Sequence, residues 1–343
     1  MPATTYLPAH FDPAKVGEVW RVSYQERAIA AQAWARQHHI QPATSDRQRF
    51  CLLAIDVQNT FCIPGYELFV GGRSGTGAVN DNIRLCEFIY RNLAEITEIA
   101  LTMDTHTATQ IFHPVFWVNS VGAHPLPMTM VTLEDVENGT WQVNPAAAPG
   151  ISLGGDSDEH SYQYQELQTY ALHYVRRLHQ NGKFPLTIWP YHSMLGGTGH
   201  AIVSAVEEAC FFHNLARGSQ THFELKGSNP LTENYSVLQP EVMTDQQERT
   251  IAHKNTAFLQ KLLSFDRIII AGQAKSHCVA WTIDDLLTEI QATDPSLAQK
   301  VFLLEDCMSP VVVPGIVDFT DQAIATFQRF ADAGMRVIQS TDW

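Results

Sequence analysis

Residues 267–287 read RIIIAGQAKSHCVAWTIDDLL. The β-branched run at 268–271 predicts a buried strand, which Gly272 ends. From Ser276 onward the apolar positions Val279, Ile283, Leu286 and Leu287 take the spacing of one helix face. Cys278 therefore falls in the first turn of a helix just beyond a strand end. There the positive end of the helix dipole favours thiolate over thiol, and N–H groups without helical partners can hold an oxyanion. Taken alone, a free cysteine in such a stretch is more often a small buried hydrophobe.

The same strand-then-helix rhythm runs outward in both directions. Residues 49–57, RFCLLAIDV, have the continuous apolar run of a parallel strand covered on both faces, and they deliver Asp56 at its end. Further strands are expected at 99–103, 184–189, 221–225, 300–304 and 335–339. Helices are expected at 14–37, 80–97, 160–179, 198–212, 245–263 and 320–333. That alternation predicts an α/β fold: a doubly wound, mostly parallel sheet with helices on both faces. Residues 1–48 read as an N-terminal helical extension, packed on the main domain or on a second subunit. Residues 49–343 read as one domain with an insertion at about 118–183, long enough to form a lid or an interface element.

Bulk composition excludes several function classes. The chain has 343 residues, of which 45% are hydrophobic and 17% charged, a balance that leaves little room for long disorder. Its 22 basic and 36 acidic residues give a formal net charge of −14, which argues against nucleic acid or an anionic membrane surface as partner. No apolar run approaches the roughly 20 residues of a membrane span. The first 15 residues lack the apolar core of a secretory signal. Six scattered cysteines form no C-x-x-C pair, which suits a reducing compartment and a lone thiol nucleophile. A cytoplasmic protein is expected.

Chemistry-bearing residues collect at one kind of place. Asp56, Asp104, His106, His192, Lys226 and Cys278 all fall at or just past the C-terminal ends of expected strands, which in an open α/β sheet face one crevice. Asp104 and His106, two apart, can point at one ion if the backbone turns, and His192 would add a second imidazole. One carboxylate and two imidazoles leave positions open for water or substrate, a set suited to zinc, iron or manganese.

The surrounding motifs, in order, are DVQNTFCIPGYELFVGG from Asp56, DTH at 104–106, IWPYHSMLGGTGH from Ile188, ELKGSNPLTENYS from Glu224 and IIIAGQAKSHCV from Ile268. Together they resemble those of the nicotinamidase/isochorismatase-like cysteine hydrolases, closest to the metal-containing nicotinamidase branch. The resemblance spans roughly 49–340 and leaves 1–48 and much of 118–183 unmatched. It implies that Cys278 is the nucleophile, Asp56 the general base and later acid, and Lys226 the cation that bridges both and lowers the thiol pKa. It further implies a cis peptide at Gln273–Ala274 that aims the N–H of Ala274, with that of Cys278, at the oxyanion. Asp104, His106 and His192 would bind the metal, most often zinc, that contacts a pyridine nitrogen. Phe61 and Trp189 would sandwich the substrate ring, and Gln58 would orient the site through its amide. His113 reads as structural, because its spacing is off.

Two departures stand out. Ser193 replaces a common cysteine, and Lys275-Ser276-His277 replaces a Thr-Asp-aromatic run. The expected activity is hydrolysis of nicotinamide to nicotinate and ammonia through a thioester. The alternatives are another small amide, a carbamoyl compound or an enol ether as substrate, or a noncatalytic binding protein. Fold analogy suggests a homo-oligomer.

Overall fold

In the computed structural model, residues 7–151, 164–181 and 184–343 are described. Six strands build the central sheet: β1 (Phe50–Ile55), β2 (Ile96–Asp104), β3 (His222–Lys226), β4 (Arg267–Gly272), β5 (Val301–Leu304) and β6 (Arg336–Ile338). Their order is β6-β5-β4-β1-β2-β3, and every pairing is parallel. The fold is the expected doubly wound sheet.

The buried strand β1 shows why both faces are covered. Leu52 and Ala54 enter one apolar cluster, while Cys51, Leu53 and Ile55 enter another on the opposite side. The first cluster is closed by α1 (Tyr24–Gln37), α2 (Gly77–Arg91) and α4 (Ser204–Arg217). The second is closed by α5 (Thr256–Leu263), α6 (Ala280–Thr293) and α7 (Thr320–Asp332). The intervening helix α3 (Tyr164–Asn181) belongs to neither. With Trp117, Val143, Leu167, Tyr170 and Tyr174 it forms a third cluster, under two antiparallel strand pairs, Trp117–Val118 with Gln142–Val143 and Met130–Val131 with Leu186–Thr187. Helix α1 packs on α4 of the same chain, where Arg27 pairs with Glu208 at 2.6 Å.

Several boundaries differ from the sequence reading. The helix expected at 14–37 starts only at Tyr24, and the one expected at 80–97 ends at Arg91, where the Asn92 side chain donates back to the Phe88 carbonyl. The helix expected at 198–212 begins at Ser204, because Gly199 and Ala201 are used as acceptors for the backbone of Thr60 and Asn59. The helix expected at 245–263 keeps only its second half. Asp245 accepts from the N–H groups of Gln247 and Arg249 and closes a turn instead, and Asn255 then caps α5. The run at 184–189 contributes two residues to a small outlying pair and no strand to the central sheet. Of the helix expected at 160–179, positions 160–163 lie outside the described residues. Among the described residues no helix is long and apolar enough to cross a membrane.

Candidate active site

The strand order reverses between β1 and β4: the chain runs from β1 to β2 and β3 on one side, then returns to β4 on the other. That switch point is where a crevice opens at the carboxyl ends of the strands. Asp56 follows β1, Cys278 follows β4, Asp104 ends β2 and Lys226 ends β3. Register brings them level, with Ile55 opposite Gly272 and Asp104 opposite Lys226. Cys278 sits in a π-helical turn, Lys275–Val279, ahead of α6 rather than in the first turn of an ordinary helix. The Gln273–Ala274 peptide is cis, as expected. Asp56 holds a left-handed φ of 47°, an uncommon conformation for a residue with a side chain.

Lys226 is the hub. Its buried Nζ lies 2.9 Å from Asp56 Oδ2 and 2.9 Å from Asp104 Oδ1, donates to Asn234 O at 3.0 Å, and is 3.7 Å from Cys278 Sγ. Thr102 Oγ1 donates to Asp56 Oδ1 at 2.6 Å and accepts from the Asp56 N–H at 3.0 Å, fixing that carboxylate from behind.

The electrostatics follow from burial and these partners. Burial raises the Asp56 carboxyl above the usual range; Lys226 opposes that rise and Asp104 reinforces it. Burial also pushes the Cys278 thiol well up; Lys226 pulls it down, while Asp56 and Asp104 push it further up. The expected downward pull of Lys226 on the thiol is present, but burial and the two carboxylates outweigh it. One ammonium faces two carboxylates and a dry pocket, so the resting sulfur is a thiol beside an elevated base. For Lys226, burial works against its charge, but Asp104 and Asp56 outweigh burial and hold the ammonium protonated.

On the other side of Asp104 lies a second arrangement. Asp104 Oδ2 is 2.8 Å from His106 Nε2 and 3.3 Å from His192 Nε2, and the three ligand atoms lie within 4.8 Å of one another. The donor set fits a divalent cation. Nδ1 of His106 is 3.0 Å from Gly227 O, and Nδ1 of His192 is 2.8 Å from Pro190 O. A carbonyl oxygen only accepts, so both Nδ1 atoms donate, and both Nε2 atoms turn inward to a carboxylate oxygen, where a bound cation would take their lone pairs. Burial lowers the His192 pKa and favours the neutral ring that a ligand needs. For Asp104, burial would raise the pKa, but His106 and Lys226 outweigh it and keep the carboxylate ionised. Gly227, with φ 84°, makes room, since a Cβ there would stand 2.7 Å from His106 Cε1 and 2.9 Å from Asp104 Oδ1.

Both arrangements open into one cavity of about 370 Å³, whose walls include Phe61, Asp104, His106, Trp189, His192, Lys226, Ala274 and Cys278. Every expected site residue except Gln58 lies on that wall or, for Asp56, directly behind Lys226. Gln58 does not reach the cavity as a substrate contact, but it orients the site through its amide as expected, donating to the carbonyls of Asp104 and His200 and accepting from the Asp104 N–H, all at 2.8–2.9 Å. His113 is buried, with Nδ1 3.2 Å from Ala108 O, and its ring centroid is 5.9 Å from that of His106.

Sequence reasoning missed Thr102, Glu233, Tyr235 and His277. Glu233 lines the cavity and accepts from Tyr174 Oη at 3.0 Å, Trp189 Nε1 at 3.2 Å and Tyr235 Oη at 3.0 Å. Burial, with Glu241 adding to it, raises its pKa to about 8. Burial lowers the His277 imidazole to about 4, so the wall beside the nucleophile carries a neutral ring. A Thr in a strand and an acid in a loop are ordinary letters; the available signals were that Glu233 and Tyr235 lie inside the motif starting at Glu224 and His277 inside the one starting at Ile268.

A cysteine, a carboxylate and a lysine at the switch point, beside a carboxylate and two imidazoles, form the candidate centre of a cysteine hydrolase. No protein-family model and no curated protein matches the chain. Solved structures similar to it include a nicotinamidase/pyrazinamidase of Acinetobacter baumanii, at 19% identity, 87% of this chain and 99% of that one covered, and a TM-score of 0.49. The yeast nicotinamidase bound to the inhibitor nicotinaldehyde is similar at 16% identity, over 84% and 99%, with a TM-score of 0.48. The pyrazinamidase of Pyrococcus horikoshii in complex with zinc is similar at 15%, over 85% and 99%, with a TM-score of 0.45. At such identities the chemistry has to be read from this chain's own side chains.

Proposed function

We propose that this chain is a cysteine-dependent amidohydrolase that converts nicotinamide to nicotinate and ammonia. The observation carrying the proposal is the meeting of Asp56, Lys226 and Cys278, residues far apart in sequence, around one buried ammonium. Asp56 accepts the proton of Cys278 as Sγ closes on the carboxamide carbon, and the carbonyl electron pair moves onto oxygen. The N–H groups of Ala274 and Cys278 receive that oxyanion, and Lys226 holds Asp56 in place through the transfer. When the C–N bond breaks, Asp56 returns the proton to nitrogen, which leaves as ammonia, and a thioester remains. Asp56 next deprotonates a water that attacks the thioester; the C–S bond breaks, nicotinate departs and sulfur regains its proton. Phe61 and Trp189 flank the ring. Asp104, His106 and His192 would hold a divalent ion, zinc before iron or manganese, which when bound supplies an electrophilic anchor for a pyridine nitrogen.

Ammonia release from nicotinamide tests this reading. It is expected in the wild type, absent in Cys278→Ala and reduced by a chelator; turnover that survives Cys278→Ala defeats the mechanism. A second reading keeps the triad but takes another small amide, a carbamoyl compound or an enol ether, and the cavity's size favours it. Bound metal without nicotinamide turnover would select it. A noncatalytic binding protein would release no ammonia from any amide, with Cys278 present or absent.

A further inference from the structure

The cavity has two unlike halves. Its inner half is buried and polar: Asp104, His106, His192, Lys226 and Cys278 meet there, with Phe61 and Phe112 as the apolar sides. Its outer half is made by two segments remote from the catalytic strands. One is the loop after Phe61, which supplies Leu68 and Phe69. The other is the small antiparallel pair Val312–Val313 with Val317–Asp318, which supplies Val311, Val312 and Val313. These five apolar side chains are only half-buried, so they border the cavity and water at once. Among the described lining residues of this half the charged side chain is Glu67, an acid that accepts from Thr60 Oγ1 at 3.0 Å. A volume of about 370 Å³ falls in the range, roughly 300–1,000 Å³, that takes drug-sized ligands, several times larger than a one-ring carboxamide. A one-ring amide placed at Cys278 would leave the outer half unfilled.

We propose that the substrate class is a carboxamide bearing an uncharged apolar arm, with the amide against Cys278 and the arm along Leu68, Phe69 and Val311–Val313. This rests on the amidohydrolase reading and narrows its substrate. An apolar arm gains by leaving water, whereas an anionic one meets Glu67 and a chain of net charge −14.

The test is a homologous series: nicotinamide and its ring-alkylated derivatives from methyl to butyl, with N-alkylnicotinamides in parallel to show on which side of the amide the arm lies. In one series kcat/KM is expected to rise about threefold to fourfold per methylene. In parallel, Kd of the same amides for Cys278→Ala, measured by calorimetry, falls by the same factor per carbon. Val312→Asp flattens the rise. A flat or falling profile in both kcat/KM and Kd overturns the inference. A rising affinity without turnover of any amide supports the arm site and overturns the amidohydrolase reading instead, so the two failures are separable.

Discussion

Two corners of the cavity share a wall and are built in opposite ways. In the triad corner, Asp56, Lys226 and Cys278 are tied to one another by side-chain charges, with the ammonium 2.9 Å from a carboxylate and 3.7 Å from the sulfur. In the histidine corner, His106 and His192 are tied to backbone carbonyls of Gly227 and Pro190, and their remaining nitrogens face a common point. The first arrangement lets protons shift between partners, because every member's ionisation depends on the others. The second fixes tautomers and ring planes, which is what an ion needs and a proton relay does not. Asp104 belongs to both: one oxygen meets Lys226, the other meets the imidazoles.

The largest expected effect comes from cutting the joint. Lys226→Met leaves two buried carboxylates facing each other, so unfolding in urea should show a loss of about 3–5 kcal/mol, and turnover should fall below detection. A fully stable Lys226→Met would mean that the two corners are not held together by that ammonium. Next in size, His192→Ala should lower bound metal, read by elemental analysis, and reduce turnover about 10²-fold. It should leave the alkylation rate of Cys278 at pH 8 within about threefold, because the triad corner makes no bond to His192. Collapse of both readouts together would join what the geometry separates. Smaller again, Gly227→Ala inserts a Cβ 2.7 Å from His106 Cε1. Metal affinity should drop about tenfold or more, with the alkylation rate nearly unchanged.

The last effect lies outside both corners and is read against pH. Glu233 has a folded pKa raised to about 8 from an ordinary 4.5, so the native state binds a proton that the unfolded chain releases. Its stabilising contribution is complete below pH 4.5 and is lost as pH climbs toward 8, with a slope of at most about 1.4 kcal/mol per pH unit between them. Urea unfolding at several pH values should show that decline, and Glu233→Gln should flatten it.

The two corners also differ in how well the sequence announced them. Asp56, Asp104 and Cys278 were legible because each follows an apolar run, and Lys226 because it ends the short expected strand at 221–225; parallel strand ends converge whatever lies between them. The order β6-β5-β4-β1-β2-β3 was not legible, since parallel direction puts the strand ends on one side of the sheet without fixing which strands are neighbours. Glu233 was not legible: its partners Tyr174 and Trp189 lie 59 and 44 residues away, one of them on the helix of the insertion. Nor could the letters give the net direction of the thiol's shift, which depends on how deeply one ammonium and two carboxylates are buried together. The run at 184–189 misled for a related reason. Its apolar residues cover the insertion's own cluster, and they bring His192 to the site from outside the central sheet.

Gly272, with φ 117°, touches the neighbouring strand so closely that a Cβ would sit 2.1 Å from the carbonyl oxygen of Ile55. The gap between the base-bearing and sulfur-bearing strands is thus set by a missing methyl group. Attempts to retool this scaffold for bulkier reactants should leave that seam alone and redraw the half-buried valines at 311–313, which border both cavity and water.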